Sequence, residues 1–334
     1  MDQQQYRQYI NAVLRKCFSM MSDPERLYVF QQASIGDILI SGGFIWTLLP
    51  RFNKKSATLI INERYRSLDV RFDGVDEFKY LPHWEYGIFS NYVNTTKKFF
   101  TDRYFWSFMR SNVPDNALFM NLIRCNTYDL SPDTPYHAPI VNDISDDAKT
   151  RLHRDYTLDK ARTVILTPNT SSGLSINLNF WFTLIGNLRR AGFVVYCNVG
   201  KNAASITDTP LPGTFPMQVG LNEIFYLASR VKCVVGVRSG LLDLLAFSSA
   251  TVFCISPSSL YKFDLKLNFP QSPATIRTFY FDFDLFSKFQ ALVSKHELGS
   301  IRIDNVKHKS ISDSSMFWSE NDLLAAILRA VDAK

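Results

Sequence analysis

Short apolar runs rich in β-branched residues alternate along the chain with longer segments of helical spacing. An apolar run of this length is typical of a strand that is buried on both faces. Such strands are predicted at residues 27–31, 57–62, 77–81, 163–167, 193–197, 231–237 and 251–255, and helices at 3–22, 179–191, 223–229 and 320–331. This alternation predicts βαβ units and parallel sheets.

The strand and helix series occurs twice, before and after a segment at residues 128–146 that carries three prolines. Because 334 residues exceed one ordinary core, we predict two domains, 1–150 and 151–334. Each is predicted to be a Rossmann-like, doubly wound parallel sheet, and the two are expected to face a central cleft. The last helix is amphipathic, a pattern compatible with packing back across the domain boundary.

Two segments depart from this rhythm. Residues 3–22 form a helical appendage ahead of the first strand, and residues 84–125 are rich in aromatic side chains. The aromatic segment predicts either helices that cover one face of the first sheet or a surface for an acceptor or a membrane.

The apolar strand at residues 231–237 breaks at Arg238, Ser239 and Gly240, and a helical apolar run follows. A strand, a small polar turn and a helix start together present backbone N–H groups to an anion. We interpret this turn as the site of a diphosphate. A second polar cradle, Thr170-Ser171-Ser172, follows the strand at 163–167, although an ordinary polar loop explains it equally well.

The formal net charge of +6 suits an anionic partner such as a nucleotide, a lipid phosphate or an anionic membrane surface. Nucleic acid is disfavoured, since no Lys/Arg cluster is interleaved with stacking aromatics. The five cysteines are scattered without a CxxC pair, which indicates core thiols in a reducing compartment and no zinc site: Cys17, Cys125, Cys197, Cys233 and Cys254.

No apolar run approaches the roughly 20 residues that cross a bilayer. We therefore expect a cytoplasmic protein, compatible with peripheral attachment to the inner membrane.

Four motifs, taken in order, carry a family resemblance. Ser34-Ile-Gly-Asp follows the first strand, and Pro168-Asn-Thr-Ser-Ser precedes a helix that contains Trp181. Leu221-Asn-Glu-Ile and Val235-Gly-Val-Arg-Ser-Gly follow. Over residues 27–62 and 160–257 the chain resembles the heptosyltransferase-like (GT9-type) glycosyltransferases of the GT-B fold.

The resemblance implies that Asp37 is the general base, with Ser34 and Gly36 beside it on the acceptor side. An inverting transferase needs a carboxylate to take the proton of the attacking acceptor hydroxyl. The alternative for Asp37 is a helix N-cap.

On the donor side, the resemblance places the nucleotide-sugar at Thr170, Ser171, Ser172, Glu223, Arg238, Ser239, Gly240 and Asp243. Glu223 is expected either to accept from a ribose hydroxyl or to complement a helix dipole, and Asn222 to cap that helix.

Two positions depart from the family pattern, because Arg238 and Asp243 stand where the heptosyltransferases have an Asp and a His. Asp243 is expected to accept from a sugar hydroxyl or to pair with Arg238. A donor other than ADP-heptose is therefore expected.

The resulting hypothesis is a metal-independent, inverting transfer from a nucleotide-sugar to a glycan or glycolipid acceptor of bacterial lipopolysaccharide or capsule. The nucleotide-sugar is a substrate, and no cofactor is expected. Asp282-Phe-Asp284 has the form of a metal-binding DxD motif but lies after the Rossmann series. Two alternatives are a nucleotide-sugar epimerase of the same fold and a catalytically degenerate protein that binds glycan or a partner.

Overall fold

The computed structural model describes residues 3–31, 35–87, 117–120, 135–168, 176–199, 210–257, 273–281, 315–317 and 319–332. The chain divides into two compact units, Met1–Ile140 and Val141–Lys334. The assignment of the acceptor to the first half and of the donor to the second stays a prediction.

The first unit is built on a four-stranded sheet of order β4-β2-β1-β5 in which every neighbouring pair is parallel. Its elements are α1 (Gln3–Ser19), β1 (Arg26–Gln31), α2 (Ile35–Gly42), α3 (Ile45–Leu48), β2 (Ser56–Asn62), β3 (Val70–Arg71), β4 (Val75–Leu81) and β5 (Ala117–Met120), and β6 (Ile140–Val141) spans the boundary to the second unit. Strands β3 and β6 form a separate two-stranded ladder. The predicted strands at 27–31, 57–62 and 77–81 are confirmed.

Helix α1 packs on this unit through Val13 and Cys17, which are both buried. Lys16 on the same helix pairs with the buried carboxylate of Glu85 at 2.6 Å. Residues 83–87 are helical and follow β4 after Pro82; apart from 84–87 and 117–120, the aromatic segment at 84–125 lies outside the described residues. The predicted helical appendage is therefore confirmed.

The second unit contains a seven-stranded parallel sheet of order β13-β12-β11-β10-β7-β8-β9. Its strands are β7 (Thr163–Thr167), β8 (Val194–Asn198), β9 (Phe215–Met217), β10 (Cys233–Val237), β11 (Thr251–Pro257), β12 (Thr275–Phe281) and β13 (Ser315–Phe317). Its helices are α4 (Asp146–Asp155), α5 (Leu178–Arg190), α6 (Leu221–Ala228), α7 (Gly240–Leu245) and α8 (Glu320–Asp332). The doubly wound α/β prediction is confirmed, although the sequence pattern did not indicate β9, β12 or β13.

The core of this unit lies between the sheet and helices α5 and α8. Trp181 and Leu184 of α5 are buried in one cluster with Leu323 and Ile327 of α8. The apolar face of α8 thus belongs to the core of the second unit, which answers the question that its sequence left open.

Strand order reverses once in each sheet. From β1 the chain first moves outward to β2 and β4, and β5 then pairs with the other side of β1. In the same way β8 and β9 lie on one side of β7, and β10 lies on the other. In open parallel sheets, ligands bind at the carboxyl ends of the strands that flank such a switch point.

The N-terminus of α6 corrects one sequence expectation. Gly220, not Asn222, is the N-cap, and its N–H donates to Glu223 Oε2 at 2.7 Å. Asn222 lies inside the helix, where its side-chain amide donates to the carbonyl of Asn142 at 2.9 Å. A Glu three residues into a helix satisfies the cap N–H, so the helix begins earlier than expected.

Four of the five cysteines lie in the described part of the chain, and all four are buried: Cys17, Cys197, Cys233 and Cys254. Burial raises the pKa of both Cys17 and Cys233 to about 12. Within the residues the structure covers, no helix combines the length and the apolarity needed to cross a bilayer.

Gly236 in β10 tests how tightly the centre of the larger sheet is packed. A Cβ at this position would overlap the hydroxyl Oγ1 of Thr167 and would lie 3.0 Å from the carbonyl oxygen of Thr167 and 3.1 Å from its Cβ. We expect Gly236→Ala to lower the free energy of unfolding by about 1–3 kcal/mol, because these groups belong to rigid backbone or a buried side chain. Urea denaturation measures the change.

Gly186→Ala in α5 is the matched control, because a Cβ there meets no atom within 4 Å. It is expected to raise the free energy of unfolding by up to about 1 kcal/mol, since Ala favours helix. Equal stabilities for the two variants would contradict this account of β7 and β10.

Candidate functional site

Asp37 lies at the switch point of the first sheet. It is the third residue of α2, which begins just after the carboxyl end of β1, and its side chain is half-buried. Asp37 is therefore not the helix N-cap, which was the alternative to a catalytic role. A carboxylate in the first turn of a helix still complements the helix dipole.

The backbone of Asp37 is held by buried polar side chains. Its carbonyl oxygen accepts from Gln31 Nε2 at 3.0 Å and from Ser41 Oγ at 2.6 Å. The carbonyl of Gln31 in turn accepts from the Tyr86 hydroxyl at 2.8 Å. Because Gln31 and Ser41 are fully buried, these bonds fix the first turn of α2 against the end of β1.

Two tyrosines lie within electrostatic reach of Asp37, and an arginine contacts one of them. Arg64 contacts the Tyr65 hydroxyl through Nη2, and its guanidinium carbon lies 4.6 Å from the centre of that ring. Burial raises the pKa of Tyr65 and of Tyr86, and the negative charge of Asp37 adds a smaller contribution to both. Sequence analysis missed these neighbours, since their positions in the chain show no motif.

The neighbouring acceptor-side residues are only partly described. Gly36 is buried in the first turn of α2, whereas Ser34 lies outside the described residues. Their predicted roles, like that of Asp37, stay predictions.

Two buried hydroxyls mark the switch point of the second sheet. Thr167 ends β7, and Ser239 is the residue before α7. The Oγ1 of Thr167 and the Oγ of Ser239 are buried, and no described group hydrogen bonds with either. A buried hydroxyl without a hydrogen-bond partner destabilises the ligand-free protein by about 1–3 kcal/mol. Both hydroxyls are therefore suited to hydrogen bond with a ligand.

The structure brings Arg238 and Asp243 together as an ion pair. Arg238 Nη1 lies 2.5 Å from Asp243 Oδ1, and the two side chains are only 13% and 5% exposed. The same nitrogen donates to the carbonyl of Ser239 at 3.2 Å. Of the two expectations for Asp243, the ion pair is confirmed, and the charge of Arg238 is consequently balanced within the protein.

Glu223 is engaged on both carboxylate oxygens. Oε2 accepts from the N–H of Gly220, and Oε1 pairs with Arg151 of α4. Both contacts favour the structural expectation for this residue over contact with a ribose.

Thr170, Ser171 and Ser172 lie outside the described residues, and so do Asp282 and Asp284. Among the residues that the structure covers, no group of three His, Cys, Asp or Glu side chains is arranged to hold a metal ion.

Neither a protein-family model nor a curated protein matches this chain. Solved structures do. A glycosyl transferase of family 9 from Veillonella parvula DSM 2008 matches over 92% of this chain and 98% of its own, with 11% identity and a TM-score of 0.53. The E. coli ADP-heptose lipopolysaccharide heptosyltransferase II matches over 75% and 89%, with 14% identity and a TM-score of 0.46.

A third match, E. coli heptosyltransferase WaaC with ADP, covers 81% of this chain and 99% of that one, with 11% identity and a TM-score of 0.41. The likeness to the Veillonella structure spans nearly the whole of both chains. It confirms the GT-B fold and, at the level of fold, the resemblance to the heptosyltransferase-like enzymes.

The Arg238–Asp243 pair is testable by a double replacement. Arg238→Met removes the counter-ion of a buried carboxylate, which is expected to lower the free energy of unfolding by about 3–5 kcal/mol. Arg238→Met combined with Asp243→Leu is expected to recover most of that loss, because no buried charge remains. Urea denaturation of both variants measures the coupling; equal losses would show that the two side chains do not stabilise each other.

Proposed function

We propose that this protein is a glycosyltransferase that moves a sugar from a nucleotide-sugar to a glycan or glycolipid acceptor of the lipopolysaccharide type. The proposal places the acceptor at the carboxyl edge of the first sheet and the nucleotide-sugar at the carboxyl edge of the second. The observation that carries it is the pairing of a family 9 glycosyltransferase fold with polar groups at both switch points.

In the proposed reaction, the acceptor oxygen attacks the anomeric carbon as the bond from that carbon to the diphosphate oxygen breaks. Asp37 takes the proton of the acceptor hydroxyl. A base must be held in place to act in the transition state, and the bonds from Gln31 and Ser41 to the Asp37 carbonyl supply that rigidity. The outcome at the anomeric carbon is inversion.

The departing diphosphate needs compensation for its negative charge. Arg238 contributes less than its formal charge, because Asp243 balances it. We therefore assign this task mainly to hydrogen-bond donors: the hydroxyls of Thr167 and Ser239 and the N–H groups of the turn at Ser239 and Gly240. A site that relies on neutral donors and an internal ion pair differs from the family pattern, which supports a donor other than ADP-heptose.

Ser239→Ala separates binding from stability. In the absence of ligand, we expect a free energy of unfolding that is unchanged or up to about 1 kcal/mol higher, because a buried hydroxyl without a partner is removed. The thermal shift produced by the preferred nucleotide is expected to shrink. UDP, GDP, ADP and CMP are compared, since a ligand at one hundred times its Kd stabilises by about 2.7 kcal/mol.

Ser248→Ala serves as the control, because the Ser248 hydroxyl is buried but donates to the carbonyl of Leu245 at 2.7 Å. This variant is expected to lose stability and to keep the nucleotide shift. A full nucleotide shift in Ser239→Ala would exclude the Ser239 hydroxyl from the donor site.

Asp37→Ala tests the base. Nucleotide release from a panel of sugar nucleotides in the presence of acceptor is expected to fall by about 10²–10⁴-fold, the usual contribution of a general base. The thermal shift with nucleotide should persist, because the proposal places the donor on the other unit.

Asp69→Ala, which removes an exposed carboxylate of the same unit, is expected to retain turnover. Full activity in Asp37→Ala would refute the base assignment. If the unaltered protein bound a sugar nucleotide but released no nucleotide from it, the result would instead indicate a degenerate protein that only binds.

A further inference from the structure

His83 is an exposed side chain whose orientation is fixed by a buried neighbour. It follows β4 at the carboxyl edge of the first sheet, the edge on which Asp37 lies. Asn62 ends the adjacent strand β2 and is only 1% exposed. Its side-chain Nδ2 lies 3.0 Å from His83 Nδ1.

The direction of this hydrogen bond follows from a second contact of Asn62. The Asn62 Oδ1 accepts from the backbone N–H of Arg64 at 3.0 Å. A flipped amide would place its NH2 group against that N–H, two donors facing each other, so the oxygen must point to Arg64. The NH2 group therefore donates to His83, and His83 Nδ1 accepts.

An imidazole that accepts at Nδ1 carries its proton at Nε2. The backbone of His83 is fixed as well, because its N–H donates to Glu63 Oε1 at 3.0 Å. No described group accepts from Nε2, and the ring is exposed. The protein thus presents one N–H donor of defined direction at this edge.

The surroundings connect this donor with the Asp37 site. Glu63, which holds the His83 backbone, begins the short helix Glu63–Tyr65, and Tyr65 at its end lies within the electrostatic reach of Asp37. Strand β2 pairs with both β1 and β4, so His83 and Asp37 follow strands about two strand spacings apart, roughly 10 Å. That distance is about one or two sugar rings.

We propose that His83 is an acceptor-binding residue that donates from Nε2 to an oxygen of the acceptor saccharide, and that Asn62 positions it by fixing the tautomer. The inference rests on the proposed function in taking the acceptor to be a saccharide. Binding groups that are held by a buried second layer lose little entropy when substrate arrives. Asn62 supplies that buried contact here, and the exposed Glu63 holds the His83 backbone.

Long-range ¹H–¹⁵N NMR of protein labelled at histidine measures the tautomer directly. The chain contains five histidines, so the spectrum is simple. His83→Ala assigns the His83 signals by their loss. The expected pattern at pH 8 is a proton on Nε2. Asn62→Asp keeps the oxygen that accepts from the N–H of Arg64. It replaces the NH2 group that faces His83 Nδ1 by a second oxygen, which can only accept, so the ring proton is expected to move to Nδ1.

Binding is followed by titrating lipopolysaccharide freed of its fatty acids by alkaline hydrolysis. We expect this oligosaccharide to shift the His83 signals, and its affinity to fall about 3- to 10-fold in His83→Ala and Asn62→Asp, the loss of one hydrogen bond. His83→Gln should restore most of the affinity, because its amide nitrogen reaches the place of Nε2, whereas His83→Asn should not. His137→Ala, which removes another histidine of this unit, should bind as the unaltered protein does.

A proton on Nδ1 in the unaltered protein, unmoved His83 signals or undiminished affinity in His83→Ala would each overturn the proposal. The proposed function fails separately. If no sugar nucleotide is turned over but the oligosaccharide still shifts His83, the saccharide site stands without the transferase. If turnover and acceptor KM are unaffected in His83→Ala, the transferase stands without this site.

Discussion

A parallel sheet with helices on both sides must bury both faces of its strands, and this constraint shapes both units. The strands β7 and β10 are buried from end to end, so they offer no room for polar chemistry along their length. Polar side chains are therefore concentrated where the strands end. In each unit the candidate site follows from this exclusion as much as from any motif.

The two carboxyl edges use buried polarity differently. At the first edge Gln31, Ser41 and Asn62 are buried, and each makes hydrogen bonds that hold a turn in place. In the second unit Thr167 and Ser239 retain buried hydroxyls for which no described group is a partner. Complete bonding suits positioning of a base, and incomplete bonding suits capture of a ligand.

Charge at the second edge is balanced internally. The Arg238–Asp243 pair places both partners on one strand–turn–helix, so neither charge needs a substrate to be neutralised. A buried pair of this kind contributes little net stability compared with apolar side chains. Removing only one of the two charges, however, strongly lowers the free energy of unfolding. The turn thus holds an arginine and an aspartate without leaving a buried charge unbalanced.

The amino-acid sequence by itself determined the two parallel sheets, most strand limits and the candidate turn at residues 238–240, because buried strands leave continuous apolar runs and turns leave small polar residues. It also offered the ion pair of Arg238 with Asp243 as one of two alternatives, since Arg238 precedes the turn and Asp243 lies one turn into the helix that follows it. Short strands such as β9 and β13 left no such pattern.

Tertiary structure alone brought Tyr86 to Gln31, His83 to Asn62 and Thr167 to Gly236, and it alone showed Gly220 as the N-cap of α6. Each of these contacts joins strand ends or loops through parallel pairing or a side-chain hydrogen bond. Neither kind of interaction leaves a periodic pattern in the sequence.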